Sequence, residues 1–303
     1  MSKLSDSLAR ISGFLPNIGS YQVRELQEGF TNQVYLLSKP GSASLVLRLA
    51  DIDVVAFYID RQAELVTLKR AAQSSVSPAL LYQDDNLMLT EFVSQTSLDW
   101  QIQHQMQDIE RIARQLKKVH QLPLVSHHYQ VDKVIAHYLS YIARLIREKS
   151  GLEETGLTQE CSYLQDRLAD LNIEPSGLDS VLCHNDLNPK NVLMDAQQLW
   201  FIDWEYTGVG DPLFDLAVVA KSHNLTTPQR IRLLTAYDWP LAIESSLPKL
   251  ESYCQAYGLR EMAWLLLKYL LDPEDPLSLD YYFEFKGNPS LNPFHNAHSG
   301  ELV

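Results

Sequence analysis

The stretch that decides the fold lies at residues 181–193, which read VLCHNDLNPKNVL. In it, Asp186 follows His184 by two residues and precedes Asn191 by five. The apolar runs 191–194 and 200–203 flank residues 195–199 and predict a β-hairpin. The pairing that we expect places Asn191 opposite Asp203, Val192 opposite Ile202 and Met194 opposite Trp200. Directly opposed residues have Cβ atoms about 4.5–5.5 Å apart, so Asn191 and Asp203 would reach one ion.

These residue types suit phosphoryl transfer. An Asp followed five residues later by Asn, with a His two residues before it, is the pattern of a kinase catalytic loop. Asp186 is then the expected acceptor of the proton from the attacking hydroxyl. Asn191 and Asp203 are expected to bind Mg²⁺, which prefers carboxylate and amide oxygens. A lone Asp or Asn near a turn is usually a turn former. The hypothesis therefore depends on His184, Asp186, Asn191 and Asp203 occurring together.

Hydrophobic periodicity divides the chain into a strand-rich and a helix-rich part. We expect strands and one helix in residues 1–93, a nucleotide-binding lobe joined to the rest near 90–93. Residues 94–285 are expected to be a helical catalytic and substrate lobe with a strand patch at 181–203. The Gly-, Pro- and Asn-containing end, 286–303, is predicted to be an irregular, loosely held tail. This order indicates an α+β fold with two lobes.

Composition narrows the class of protein further. The 303 residues carry a formal net charge of −13, which disfavours a nucleic-acid partner. The three cysteines form no C-x-x-C pair, which disfavours a disulfide scaffold or a cysteine zinc site. The histidines show no H-x-x-x-H spacing, so a zinc hydrolase is also disfavoured. We see no secretory signal and no apolar run long enough for a membrane, and expect a cytoplasmic protein.

The segments HNDLNPKNVL at 184–193, FIDWEYTG at 201–208 and DPLFDLA at 211–217 resemble the aminoglycoside phosphotransferase and choline kinase superfamily. The IDWEY run is especially similar to the bacterial choline kinase and thiamine kinase branches. The resemblance extends over residues 24–285. It implies a protein-kinase-like fold that binds ATP and Mg²⁺ and phosphorylates a hydroxyl of a small molecule.

The resemblance also assigns roles to individual residues. It makes Asp186 the catalytic base, Asn191 and Asp203 the Mg²⁺ ligands, and His184 the brace of the catalytic loop. Asp215 would tie the following helix to that loop. The residues that it implies for nucleotide binding are Arg48 with its partner Glu64, the covering loop with Gly29, Thr31 and Asn32, and the hinge with Glu91 and Val93.

The phosphate acceptor is expected to be small. Nine residues separate Glu205 from Asp215, too few for the activation segment of a protein kinase. Aromatic and acidic residues of the helical half suit an organic cation, and the candidates for binding it are Glu205, Trp264 and Tyr281. We therefore expect a cationic alcohol such as choline or ethanolamine. A thiamine kinase, an aminoglycoside phosphotransferase and a nucleotide-binding pseudokinase stay open as alternatives, as does the oligomeric state.

Overall fold

A five-stranded antiparallel sheet forms the N-terminal part of the protein, in a computed structural model that describes residues 3–26, 32–84, 86–148 and 156–295. Its strands lie in the order β1-β2-β3-β5-β4. Their bounds are β1 (Gln22–Leu26), β2 (Asn32–Ser38), β3 (Leu45–Ala50), β4 (Leu80–Asp84) and β5 (Leu87–Glu91). A helix α1 (Lys3–Ile11) and a 3-10 turn (Ile18–Ser20) precede the sheet, and α2 (Arg61–Gln73) connects β3 to β4.

Alternation along β3 determines which side chains reach the interior. Leu45, Leu47 and Leu49 are buried on one face of the strand, and Val46 and Arg48 are partly buried on the other. Because side chains alternate along a strand, Arg48 points away from the leucine core of the sheet. The helix α2 begins where the Asp60 side chain accepts the N–H of Ala63 at 2.9 Å.

Helices make up most of the chain after the sheet. Their bounds are α3 (Met106–His120), α4 (Val131–Glu148), α5 (Leu157–Asp170), α6 (Pro212–Ser222), α7 (Thr227–Tyr237), α8 (Ile243–Leu271) and α9 (Leu277–Gly287). Four short strands lie between α5 and α6, namely β6 (Val181–Cys183), β7 (Val192–Met194), β8 (Leu199–Phe201) and β9 (Gly208–Gly210). A sheet followed by helices, with one strand patch inside the helical part, confirms the predicted α+β class.

The described residues form two hydrophobic cores. The smaller one contains Leu37, Leu47 and Leu89 of the sheet together with Ile11 of α1. The larger one extends through the helices and also contains buried residues of the 56–76 segment, which lies between β3 and β4. The connection and helix α2 are therefore packed on the helical core as well as covering the sheet.

The hairpin of β7 and β8 forms, but the predicted register is wrong by one residue. Val192 pairs with Phe201, Leu193 with Trp200 and Met194 with Leu199. The cause is a tight turn in which the Asp195 carboxylate accepts the N–H groups of Gln197 and Gln198 at 2.8 and 2.7 Å. Asn191 consequently lies opposite Ile202, whose N–H its carbonyl accepts at 3.0 Å. Asp203 lies beyond the strand pairing, with φ of 64°.

The C-terminal segment is packed as far as the structure describes it. Helix α9 ends at Gly287, and residues 288–295 are irregular. Asn292 is buried, and its amide donates to the Tyr163 hydroxyl at 3.2 Å and to the Lys286 carbonyl at 2.8 Å. A Cβ atom at Gly258 would lie 2.8 Å from Pro293. Residues 286–295 are thus attached to α8 and α9, whereas 296–303 lie outside the described residues.

Two further features of the described residues concern the cysteines and the helices. Cys161, Cys183 and Cys254 are buried free thiols. Within residues 3–295, apart from the short stretches not described, no helix combines the length and apolarity that crossing a membrane requires.

Candidate active site

The loop after β6 is held by the buried carboxylate of Asp215, in the first turn of α6. Asp215 accepts the N–H groups of His184 at 2.8 Å and of Asn185 at 2.6 Å, and His120 of α3 donates to it at 3.0 Å. Burial acts to raise the pKa of Asp215, but the contacts with His120 and His184 lower it overall. The ionised carboxylate can therefore hold Asn185 at its φ of 67°, which supports the bracing role predicted for Asp215.

The His184 ring connects the loop to the end of the hairpin. Its Nε2–H donates to the Ile202 carbonyl at 3.0 Å, and its Nδ1 accepts the N–H of Asp186 at 3.3 Å. Burial lowers the pKa of His184, although Asp215 partly opposes the effect. A neutral ring with both nitrogens in use is suited to positioning Asp186 rather than to exchanging a proton.

The Asp186 carboxylate is held from two sides. Its Oδ2 accepts from the side-chain amides of Asn188 at 3.2 Å and Asn191 at 3.0 Å. Its Oδ1 accepts from the guanidinium of Arg260 at 2.7 Å. Burial raises the pKa of Asp186 to about 7, with Arg260 opposing the rise and Glu261 adding to it. A carboxylate poised near neutral pH has the property that a general base needs.

Asn191 and Asp203 offer the oxygen ligands that Mg²⁺ prefers. The Asn191 amide nitrogen donates to the Asp186 carbonyl at 2.8 Å and to the Asp186 carboxylate. These bonds do not use the amide oxygen of Asn191. One oxygen of Asp203 accepts from Arg48 at 2.6 Å. The donor types of these two side chains fit a magnesium ion, which Asn191 and Asp203 would hold.

A charged network connects Asp203 to the N-terminal sheet. Arg48 forms ion pairs with Glu64 of α2 and with Asp203. Burial acts to raise the pKa of Glu64, but Arg48 and Arg61 lower it overall. Arg48 therefore has the partner that the sequence predicts, and it also joins both lobes of the protein.

Arg61 and Glu205 extend this network. Arg61 donates to Glu64 at 2.6 Å and to Glu205 at 3.3 Å. Within the described part of the chain, two buried donor atoms of the network have no hydrogen-bond partner, Nε of Arg48 and Nη2 of Arg61. Unpartnered buried donors are costly, and a phosphate group would satisfy them. The network thus fits the phosphates of a nucleotide.

The other residues predicted for nucleotide binding are only partly covered by the structure. Gly29 and Thr31 lie outside the described residues. Asn32, the first residue of β2, donates to Glu205 at 3.5 Å. At the hinge, the N–H of Glu91, the last residue of β5, donates at 2.9 Å to the carbonyl of Ala79, which precedes β4. Val93, two residues further on, is partly buried.

The three candidates for the acceptor site lie in different places. Trp264 of α8 donates its indole N–H to the Tyr206 hydroxyl at 2.7 Å, and its ring lies 5.5 Å from that of Phe57. Glu205 is buried and belongs to the network of Arg61. Tyr281, on α9, is 43% exposed. Of the three, Trp264 is connected through Tyr206 to the surroundings of Asp186, because Tyr206 also contacts Arg260.

Sequence reasoning missed Arg260 and Glu261, the charged pair of α8 that contacts Asp186, and it missed Arg61. A signal for Arg260 was present in the sequence. Tyr253, Tyr257, Arg260 and Trp264 recur at helical spacing on one face of α8. A charged residue on an otherwise aromatic, buried face indicates a partner of opposite charge.

Comparison with known proteins gives the family. Residues 22–253 match the model of the phosphotransferase enzyme family. The protein LicA of Haemophilus influenzae is 28% identical over 214 residues, 69% of this chain and 60% of its own length. Ethanolamine kinase 1 of Mus musculus is 28% identical over 173 residues, 52% of this chain and 46% of its own length. The chain thus spans less than two thirds of these relatives.

A solved structure shows the same fold. The choline kinase LicA of Streptococcus pneumoniae superposes with a TM-score of 0.69 at 24% identity, over 93% of this chain and 97% of its own. The match supports the two-lobed, kinase-like arrangement that the sequence resemblance implied. The chain belongs to the phosphotransferase enzyme family.

Proposed function

We propose that the protein is a small-molecule kinase that transfers the γ-phosphoryl group of ATP, with Mg²⁺, to the hydroxyl of a small cationic alcohol of the choline and ethanolamine class. One observation carries the proposal. Asp186 is bonded to Asn191 on one side, while Arg48 bonds Asp203 and leaves a buried donor unpartnered. A base, two metal ligands and a phosphate-binding arginine are the parts that phosphoryl transfer needs.

Each residue has a separate part in this reaction. Magnesium ATP, when bound, supplies the phosphoryl group and neutralises charge. Asp186 would take the proton of the acceptor hydroxyl as the hydroxyl oxygen attacks the γ-phosphorus and the bond from that phosphorus to the leaving ADP breaks. Asn191 and Asp203 would hold the metal ion. Arg48 would donate to the phosphates, and Glu64 keeps the Arg48 side chain oriented. His184 and Asp215 keep the loop in place during the reaction.

Two facts support the acceptor class, namely the groups around Asp186 and the names of similar proteins. The surroundings of Asp186 combine the carboxylate of Glu261 with the ring of Trp264, which are groups that attract cations. Two of the similar proteins are named as an ethanolamine kinase and a choline kinase. A compact cationic alcohol fits both facts.

A screen of acceptors tests the proposal. Purified protein with Mg²⁺ and ATP is incubated with ethanolamine, choline, thiamine, homoserine or kanamycin, and ADP release is followed. We expect ethanolamine or choline to raise ADP release well above the rate without acceptor. The neutral isostere of choline, 3,3-dimethylbutanol, serves as the matched control and should stay near that rate. ADP release with kanamycin alone would contradict the acceptor class, and no nucleotide binding or turnover would contradict the kinase itself.

A further inference from the structure

The guanidinium of Arg260 occupies a cation site built by the protein beside Asp186. Its central carbon lies 5.3 Å from the ring centroid of Tyr206 and 5.3 Å from that of Tyr257. A cation within about 6 Å of a ring face is attracted by it. The positive charge among these rings and the neighbouring carboxylates is therefore that of Arg260 on α8 and not that of a ligand.

Arg260 has no hydrogen-bond donor left for another molecule. A guanidinium has five N–H groups. Arg260 uses Nε and one Nη2 hydrogen on Glu261, at 3.0 and 2.6 Å, and the other Nη2 hydrogen on Asp186. Its Nη1 donates to the Asn185 carbonyl at 2.8 Å and the Tyr129 hydroxyl at 3.1 Å. The side chain is 3% exposed, so it is a permanent part of the site.

Two carboxylate oxygens next to Arg260 can still accept hydrogen bonds. In the described residues, Oδ2 of Asp186 accepts two hydrogen bonds and Oδ1 accepts one. Because each oxygen has two lone pairs, Oδ1 is the atom that can receive the acceptor hydroxyl. Both bonds from Arg260 to Glu261 reach Oε1, which leaves Oε2 on a side chain that is 21% exposed.

We propose that Arg260 and Glu261 make the site selective for an acceptor whose cationic group is a protonated amine, and against a quaternary ammonium. A protonated amine has at least one N–H that can donate to Oε2 of Glu261. A quaternary ammonium has none and depends more on ring faces, but Arg260 already lies over those of Tyr206 and Tyr257. The inference rests on the proposed function, because it concerns the acceptor of the same reaction.

A series of methylated acceptors tests the selectivity. The kcat/KM of the wild-type protein is measured for ethanolamine, N-methylethanolamine, N,N-dimethylethanolamine and choline. The first three retain an N–H when protonated, and only choline lacks one. We expect the largest single fall at the last methylation, about tenfold or more, as for loss of a hydrogen bond to a charged group. Choline used as well as N,N-dimethylethanolamine, or better, would overturn the inference and leave the kinase proposal standing.

A pair of variants on α8 assigns the effect to Glu261. In Glu261→Gln, the fall at the last methylation should shrink to less than about threefold, and the KM for ethanolamine should rise while the KM for ATP stays unchanged. The control is Glu251→Gln, since Glu251 pairs with Arg230 and is half exposed. That variant should have the same relative kcat/KM values for the four acceptors as the wild type. An unchanged fall in Glu261→Gln would overturn the role of Glu261.

The wild-type series decides the selectivity even if Glu261→Gln does not fold. A different outcome is that the protein binds Mg²⁺ and ATP but none of the four acceptors raises ADP release. That outcome would overturn the acceptor class of the proposed function and this inference with it.

Discussion

Arg48 and Arg260 are both largely buried and both bound to carboxylates, but their hydrogen bonding differs. Arg260 has an acceptor for each of its five N–H groups, whereas Arg48 contacts Glu64 and Asp203 and leaves Nε without a partner in the described structure. Since buried donors are normally satisfied, the side of the site around Arg48 is incomplete without a ligand. The hydrogen bonding of the Arg260 guanidinium itself is complete. One arginine is placed to bind, and the other to shape the site.

Asp186 lies where the two sides meet, and its substitution should have the largest effect. Asp186→Asn keeps the size of the side chain and removes the proton acceptor. General-base catalysis is typically worth about 10²–10⁴-fold, so we expect kcat to fall by at least about a hundredfold. Steady-state ADP release measures kcat, and thermal unfolding checks that the variant is folded. Activity within about threefold of wild type would contradict the role of Asp186 as base.

The comparison of the two arginines predicts opposite effects of Arg260→Met and Arg48→Met on stability and on the response to nucleotide. Loss of Arg260 leaves the carboxylates of Asp186 and Glu261 without their partner, and breaking a buried ion pair costs about 3–5 kcal/mol. Loss of Arg48 should cost less stability, because Glu64 keeps its bond to Arg61. It should instead reduce the stabilisation that added Mg²⁺ and ATP provide.

Urea unfolding of both variants, with and without Mg²⁺ and ATP, measures this difference. Lys117→Met serves as a control, since Lys117 forms an ion pair with the exposed Asp238. If Arg48→Met lost more stability than Arg260→Met and still responded to the nucleotide like wild type, the distinction between the two arginines would be wrong.

Asp203 lies on the incomplete side, and its substitution should change the need for metal. With one ligand removed, Asp203→Ala should require about tenfold more Mg²⁺ for half-maximal activity, because weaker coordination is offset by mass action. Mn²⁺ should partly restore the rate. Titration of activity with each metal measures both effects, and Asp238→Ala is the control. An unchanged metal requirement would argue against Asp203 as a ligand.

The sequence predicts the catalytic loop better than the contacts of α8. His184, Asp186 and Asn191 are neighbours in the chain, so their arrangement follows from a local pattern. The hairpin register was missed by one residue because the side chain of Asp195 selects a tighter turn. Arg260 is 74 residues from Asp186, and only the packing of α8 brings the two together. Contacts of that kind depend on tertiary structure, which a periodicity pattern does not contain.

The smallest expected effect concerns Glu205, on the incomplete side. Burial raises the pKa of Glu205 to about 8, with Asp203 adding to the rise and Arg48 opposing it. An unfolded chain releases this proton near pH 4.3, roughly the ordinary pKa of Glu. Between these two values the folded protein binds more protons than the unfolded chain, so its stability falls as pH rises. Glu205→Gln is neutral throughout and lacks this contribution.

Thermal unfolding without nucleotide or metal, at about pH 6 and about pH 8.5, measures the contribution of Glu205. The fall in Tm between these conditions should be about 2–4 °C larger in the wild type than in Glu205→Gln. Asp186 contributes equally to both proteins, because burial also raises its pKa, so the difference isolates Glu205. The exposed Glu251→Gln should follow the wild-type curve. Equal pH dependence in Glu205→Gln and wild type would show that Glu205 stays ionised in the folded protein, and that Arg61 then neutralises it.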